Sequence, residues 1–188
     1  MRLIGIFGGS FNPIHTGHIS LARQLLRLAK LDEVWFMVSP QNPLKQTSEL
    51  LDDNLRYNLV RLALHGEEGM RACNFEFKLP RPSYTWNTLQ QLCQQYPDDE
   101  FTLLIGGDNW SLFPSWYRAE DILRQYHVVV YPRRESPVDA SSLPAGVTLV
   151  DTPLLDISST QIRHHIAEGL PIDHLVPKII APLVCRCY

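Results

Sequence analysis

The sequence predicts an α/β protein built on one doubly wound, mainly parallel sheet with helices on both faces. Short runs rich in apolar and β-branched residues alternate along the chain with amphipathic helical patterns. Several runs are almost continuously apolar, which is typical of parallel strands covered on both faces. Alternation at this spacing implies right-handed crossovers, and in such sheets ligands bind at the carboxyl ends of the strands.

The individual elements follow from local patterns. In chain order, the predicted strands are Leu3–Phe7, Glu33–Val38, Cys73–Phe77, Phe101–Ile105, His127–Tyr131 and Val147–Val150. The predicted helices are Ile19–Lys30, Asn54–His65, Thr85–Tyr96, Ala119–Arg124 and Ser159–Glu168. The first two helices carry apolar stripes, formed by Leu21, Leu25, Leu28 and Ala29 and by Leu55, Leu59, Leu62 and Ala63. Gly66 and the run Gly169-Leu170-Pro171 are stop signals for the second and the last helix.

Composition limits the class of protein. The chain has 188 residues, 45% of them hydrophobic, which suffices for one well-buried domain over residues 1–188. The net charge of -3 favours neither nucleic acid nor a membrane as partner, and no run reaches the ~18 apolar residues of a spanning helix. The apolar stretch after Arg2 is short and lacks a cleavage pattern, so we expect a cytoplasmic protein. The four cysteines lack zinc-binding spacing, so we expect reduced thiols and no protein-held metal.

The most informative segment is the predicted junction between the first strand and the first helix. Gly8 and Gly9 allow a tight turn and a close approach of the backbone to an anion. Asn12-Pro13 is turn chemistry, and a helix that begins near residue 16 places His15 and His18 together at its positive end. Imidazoles there can donate hydrogen bonds to phosphate oxygens. The combination favours a phosphate site over a glycine turn with two surface histidines.

A second candidate anion site lies in the segment 156–163. With Ser158 as the N-cap, Gln161 completes a capping box and specifies the start of a helix. Beside it lie the hydroxyls of Ser159 and Thr160 and the guanidinium of Arg163. An ordinary capped helix explains the serine and the glutamine, but it does not explain this cluster of polar groups at one positive helix end.

Both segments resemble signatures of the nucleotidyltransferase superfamily. His15-Thr16-Gly17-His18 is similar to its (H/T)xGH signature, and residues 157–163 are similar to its ISxTxIR motif. In that superfamily both histidines contact ATP phosphates and the second motif binds the triphosphate. The resemblance therefore implies catalytic roles for His15, His18 and Arg163.

Three middle segments narrow the resemblance to the bacterial nicotinate-nucleotide adenylyltransferases. Pro82–Leu89 is similar to their PSYTxxTL segment, Ile105–Tyr117 to their IGxDxxxxFPxWY segment, and Asn42–Lys45 to a loop that ends in lysine. The resemblance runs in order from residue 3 to about residue 178, and the chain is identified as a member of that family. Many relatives carry Asp at the position of Asn12, so this chain lacks a charge there.

The resemblance implies two sets of binding residues. Those for ATP are Gly8, Gly9, Ser10, Phe11, His15, His18, Gly106, Asp108, Ser158, Ser159, Thr160 and Arg163. Those for the mononucleotide are Asn12, Lys45, Thr85, Trp116 and Tyr117. Residue chemistry agrees at two positions, since Trp116 can stack on a flat ring and Thr85 can take up a carboxylate. An aromatic pair that closes the core is the alternative interpretation of Trp116-Tyr117, and a turn-capping role is the alternative for Asp108.

The implied reaction joins nicotinate mononucleotide and ATP to give nicotinate adenine dinucleotide and pyrophosphate. The attacking phosphate oxygen is ionised at neutral pH, so positioning and charge stabilisation suffice without a general base or a covalent intermediate. Mg²⁺ is expected to arrive bound to ATP.

Other functions stay open on the sequence alone. The same chemistry could act on nicotinamide mononucleotide or another phosphate acceptor, and a non-catalytic nucleotide-binding protein could share the fold. Apolar and aromatic residues near the C-terminus would suit a homo-oligomer, although the sequence does not specify the oligomeric state.

Overall fold

The computed structural model describes residues 1–40, 50–134, 136–153 and 156–188. Within them, the strands are β1 (Leu3–Gly9), β2 (Glu33–Val38), β3 (Met70–Cys73), β4 (Glu100–Gly106), β5 (His127–Tyr131) and β6 (Val147–Leu149). The α-helices are α1 (Thr16–Leu28), α2 (Asp53–Ala63), α3 (Thr85–Gln95), α4 (Gly107–Leu112), α5 (Ala119–Gln125), α6 (Ser159–Ala167) and α7 (Ala181–Cys187). No helix of the described residues is long and apolar enough to cross a membrane.

The strands form one sheet in the order β3-β2-β1-β4-β5-β6. Every pairing between these strands is parallel, and β1 lies at the centre with Gly5 opposite Val34 of β2 and Thr102 of β4. This is the doubly wound order, in which the chain reverses its direction of winding between β1 and β4. The predicted fold class is confirmed, and the crevice at the carboxyl ends of β1 and β4 is the expected ligand site.

An apolar layer covers each face of the sheet. On one face α1, α2, α6 and α7 pack against residues such as Phe7 and Phe36. On the other face α3 and α5 pack against residues such as Ile4, Ile6 and Trp35. Because side chains alternate along a strand, neighbouring residues of β1 enter opposite layers. The predicted stripes on α1 and α2 are correct for most members, but Leu28 and Leu55 are 41% and 45% exposed.

The predicted strand Cys73–Phe77 is wrong in position. The strand ends at Cys73, and Phe75–Lys78 is a short 3-10 helix instead. Met70 and Arg71 precede the apolar run, yet they pair with Val34 and Trp35 of β2, so tertiary pairing overrode the local pattern. The shift brings Glu76 out of the sheet and into the site described below.

Arg56 in α2 is fully buried and joins segments that approach the carboxyl edge of the sheet. Its guanidinium donates to the carbonyl oxygens of Ser10 and Ser39, and Nε donates to the Leu51 carbonyl at 2.9 Å. Its Nη2 forms an ion pair with Asp53 at 2.6 Å. The carbonyls and the carboxylate together compensate the cost of burying this charge.

We expect Arg56→Met to lower the free energy of unfolding by about 2–4 kcal/mol, because it leaves buried carbonyls without their donor. Urea denaturation measures the change. Arg61→Met on the exposed side of the same helix is the matched control and should change it by less than about 0.5 kcal/mol. Equal losses in the two variants would contradict the structural role of Arg56.

Candidate functional site

Two cavities lie side by side at the carboxyl edge of the sheet, and Tyr131 lines both. The first, here called the histidine cavity, has a volume of about 390 Å³. Its polar lining includes His15, His18, Asp108, Arg133 and Ser158. The second, here called the aromatic cavity, has a volume of about 180 Å³. Its lining includes Tyr84, Thr85, Trp116 and Tyr117 over an apolar floor from β1 and β4.

His15 and His18 cap the start of α1 reciprocally. The backbone N–H of each donates to Nδ1 of the other at 3.3 Å, and the two rings stack with centroids 3.6 Å apart. Because Nδ1 of His15 is an acceptor, the proton of the neutral His15 ring is on Nε2. A glycine suits position 17, since a Cβ there would lie only 3.0 Å from His15 Nδ1. The histidine motif is therefore a helix cap in which the Nδ1 atoms of both rings are used by the backbone.

Burial keeps His15 uncharged. The residue is 4% exposed, and burial lowers its pKa from 6.5 to about 3, with a smaller contribution from the positive charge of Arg133. At neutral pH His15 is consequently a neutral hydrogen-bond donor.

The turn that precedes the histidines is strained and tightly packed. Phe11 adopts a left-handed backbone conformation with φ of 46°, and it is buried edge-on to the His18 ring at 5.1 Å. The following residue, Asn12, is 4% exposed, and its Oδ1 accepts hydrogen bonds from the Leu51 N–H at 3.1 Å and the Tyr188 hydroxyl at 2.6 Å. Burial raises the pKa of Tyr188 and keeps its hydroxyl protonated. The oxygen of Asn12 thus braces the turn.

The N-terminus of α6 docks onto the same turn. Ser159 Oγ donates to the carbonyl of Pro13 at 2.8 Å, and Arg163 Nη1 donates to the carbonyl of Asn12 at 2.8 Å. Ser158 caps the helix by accepting from the Gln161 N–H at 3.1 Å, as the sequence predicts. Thr160 Oγ1 lies 3.5 Å from Arg163 Nη2. The two segments predicted to bind phosphate are therefore in direct contact.

The end of β4 forms another wall of the histidine cavity. Gly106 ends the strand and α4 begins at once with Gly107, where a Cβ would lie 2.3 Å from the Ser136 carbonyl oxygen. Asp108 is exposed, and its Oδ1 lies 3.8 Å from Nε of Arg133, which has no hydrogen-bond partner among the described residues. Arg133 is not among the residues that the sequence predicts for the site.

The aromatic cavity brings together Thr85, Trp116 and Tyr117 as the sequence predicts. Trp116 lines the cavity, and its indole Nε1 is buried without a hydrogen-bond partner among the described residues. Tyr117 packs against Tyr84 with ring centroids 5.1 Å apart, and both are exposed at 51% and 38%. Trp116 also contacts the ring of Phe113 at 5.3 Å, so it packs against the core as well as facing the cavity.

Glu76 is a site residue that sequence reasoning missed. It lies in the 3-10 helix after β3, is 7% exposed and lines the aromatic cavity. Its Oε1 accepts from Thr88 Oγ1 at 2.9 Å and its Oε2 from Ser83 Oγ at 3.1 Å. Burial raises the pKa of this carboxyl, and the hydroxyl donors oppose that change. The spacing of Ser83 and Thr88 from Glu76 gave no local signal, because the contact depends on the turn between β3 and α3.

Gly8, Gly9 and Ser10, for which the resemblance implies ATP binding, line the aromatic cavity. Lys45 lies outside the described residues.

Comparison with known proteins assigns the family. A family model described as cytidylyltransferase-like matches residues 6–165. A protein of Bacteroides fragilis named "Probable nicotinate-nucleotide adenylyltransferase" is 50% identical over 172 residues, which are 92% of this chain and 86% of that protein. A protein of Cytophaga hutchinsonii with the same name is 42% identical over 181 residues, covering 96% of this chain and 94% of that protein.

The chain belongs to the nicotinate-nucleotide adenylyltransferase family. The resemblance inferred from the motifs is thereby confirmed. Its fold is shared by a solved structure titled Plasmodium falciparum nicotinic acid mononucleotide adenylyltransferase complexed with NaAD, with a TM-score of 0.81 at 20% identity. That alignment covers 99% of this chain and 94% of the other, so the family fold extends over nearly the whole chain.

His15 should make the folded protein sensitive to acid. Its folded pKa of about 3 lies below the ordinary 6.5, so the unfolded chain binds more protons between these values and stability falls as the pH drops through them. The contribution of one such group is at most ~1.4 kcal/mol per pH unit. His15→Asn keeps a capping side chain but does not titrate, and urea unfolding between pH 7 and about 4 should show a shallower decline. His65→Asn, an exposed site, should behave as wild type; an unchanged slope in His15→Asn would refute the assignment.

Proposed function

We propose that this protein transfers the adenylyl group of ATP to the phosphate of nicotinate mononucleotide, releasing pyrophosphate. The observation that carries the proposal is the pair of adjoining cavities at the β1–β4 switch point, one rich in phosphate-binding groups and one aromatic. A dinucleotide product has two nucleotide halves, so it needs two adjoining cavities, and the new phosphoanhydride bond would lie where the cavities meet. The names of the relatives with 50% and 42% identity agree with this activity.

The histidine cavity is the proposed site of the triphosphate. Nε2–H of His15 and His18 donates to phosphate oxygens, and the free N–H groups at the start of α6 add the positive end of a helix dipole. Arg133 places a positive charge in the lining of the same cavity. Arg163 adds charge at the turn while its bond to the Asn12 carbonyl fixes the position of that turn. Asp108 is available to accept from a ribose hydroxyl at the end of β4.

The proposed reaction is a single in-line displacement. A phosphate oxygen of the mononucleotide attacks the α-phosphorus of ATP, a new P–O bond forms, and the bond from that phosphorus to the bridging oxygen breaks as pyrophosphate leaves. The nucleophile is already an anion, so no residue has to remove a proton. The neutral imidazole of His15 suits this reaction, because it can donate a hydrogen bond to a phosphate oxygen without giving up or accepting a proton.

The aromatic cavity is the proposed site of the nicotinate ring. Trp116 offers a stacking surface, and the Thr85 hydroxyl can donate to the ring carboxylate. The flexible phosphate end would then extend along Gly8 and Gly9 at the end of β1 toward the histidines. In this orientation Gly8 and Gly9 would contact the mononucleotide as well as ATP.

Mg²⁺ is proposed to enter with ATP. Mg²⁺ usually keeps several waters and binds substrate phosphates, so ATP oxygens and water would supply its ligands. Bound in this way, Mg²⁺ would neutralise charge on the leaving pyrophosphate.

We expect His18→Ala to lower kcat by about 10²–10³, because it removes a donor to the charge that develops in the transition state. Pyrophosphate release with ATP and nicotinate mononucleotide measures the change, and circular dichroism checks the fold. His127→Ala, at the exposed amino end of β5, is the matched control and should keep full turnover. Full turnover in His18→Ala would exclude it from the catalytic residues.

The same assay tests the acceptor. The acid mononucleotide should give a higher kcat/KM than nicotinamide mononucleotide, because the Thr85 hydroxyl in the lining can donate to a ring carboxylate. A higher value with the amide would reverse the proposed substrate class, and tight ATP binding without turnover on either acceptor would favour a non-catalytic protein.

A further inference from the structure

The aromatic cavity has an acidic side chain, Glu76, in its wall. Among the described residues that line it, Glu76 is the only one with a carboxyl, ammonium, guanidinium or imidazole group. The ring proposed to occupy this cavity carries a carboxylate, which an acid in the wall does not attract. The presence of Glu76 therefore requires an explanation other than recognition of the carboxylate.

Two hydroxyl groups contact the carboxyl group of Glu76 in the wall of the cavity. Each carboxyl oxygen accepts from a different hydroxyl, Oε1 from Thr88 at 2.9 Å and Oε2 from Ser83 at 3.1 Å. Hydrogen bonds to both oxygens stabilise the ionised form, whereas burial at 7% exposure disfavours it. A cation that enters the cavity would stabilise the ionised form further, so its binding and the charge of Glu76 are coupled.

The nicotinate ring of the mononucleotide provides such a cation. Its nitrogen is bonded to ribose, so the ring is a pyridinium with a positive charge that is independent of pH. The face of Trp116 also attracts a cationic ring, and the apolar floor of the cavity, which includes Ile6, Leu103 and Ile105, limits screening by water. The positive ring and the negative wall are thus complementary, while the ring carboxylate is left to the neutral donors.

We propose that Glu76 determines specificity by selecting a cationic pyridinium ring over a neutral ring of the same size. The proposal rests on the proposed function, because it assumes that the aromatic cavity takes the ring of the mononucleotide. This selection is separate from the choice between nicotinate and nicotinamide mononucleotide, since both of those ligands carry the pyridinium charge. A 1,4-dihydropyridine mononucleotide is nearly isosteric but has no ring charge, and it should be rejected.

The test compares the binding of nicotinate mononucleotide and its 1,4-dihydro form by isothermal titration calorimetry. Wild type should bind the pyridinium form at least about tenfold more tightly, the order expected for opposite charges several ångströms apart at an effective dielectric constant of about 20. Glu76→Gln keeps the size and an acceptor oxygen but removes the charge, and it should bring the two dissociation constants to within about threefold of each other.

Thr88→Val is the matched control for a positioning role. It removes one hydroxyl from Glu76 but keeps the carboxylate, so it should weaken both ligands in parallel and preserve their ratio. If Glu76→Gln also weakens both ligands in parallel, Glu76 only positions its neighbours and the proposal is overturned. Equal binding of the two ligands by wild type overturns it without any variant, so the test does not depend on the folding of Glu76→Gln.

Measuring pyrophosphate release beside ligand binding shows which of the two proposals fails. If wild type releases pyrophosphate with nicotinate mononucleotide but Glu76→Gln leaves the binding ratio unchanged, only the role of Glu76 is refuted. If wild type binds the mononucleotide but releases no pyrophosphate with any acceptor, the proposed function fails.

Discussion

The backbone turn at residues 10–13 is the constraint on which the site depends. Three other segments of the chain hold it through hydrogen bonds. In α2, Arg56 donates to the Ser10 carbonyl; in α6, Ser159 and Arg163 donate to the carbonyls of Pro13 and Asn12; after α7, Tyr188 donates to the Asn12 side chain. The position of this turn determines where α1 begins, and hence where the two histidines lie. Helices distant in sequence thus fix the position of one loop, and a rigid loop is what positional catalysis requires.

Several of the predicted binding residues also stabilise this turn. Ser159 and Arg163 each use a polar group to hold the turn, and the side-chain oxygen of Asn12 is engaged by Leu51 and Tyr188. An amide oxygen suffices to accept from an N–H and a hydroxyl, so the bracing at position 12 requires no negative charge. The structure thereby accounts for an asparagine at this position, which was the main departure of the chain from the motif that it resembles.

The sequence predicted the sheet and the first members of the site because their signals are local. Gly17 between two histidines and Ser158 before a helix have fixed geometric consequences, and both are present in the structure. What it missed depends on contacts between distant segments. The start of β3 is set by pairing with β2, and Glu76 and Tyr188 reach the site only through a turn and a helix that no local pattern locates there.

The two cavities differ in the charged groups that line them. Among the described residues, Arg133 and Arg134 line the histidine cavity together with Asp108 and Asp156, and Arg163 lies at the adjoining turn, whereas Glu76 is the only acid in the lining of the aromatic cavity. A mononucleotide with a positive ring and a negative phosphate would therefore be aligned end to end, with its phosphate drawn toward the arginines and its ring toward Glu76. Such alignment lowers the entropic cost of placing the attacking oxygen opposite the α-phosphorus. In the proposed reaction the fold therefore contributes the positioning of both substrates, and it needs no activated side chain.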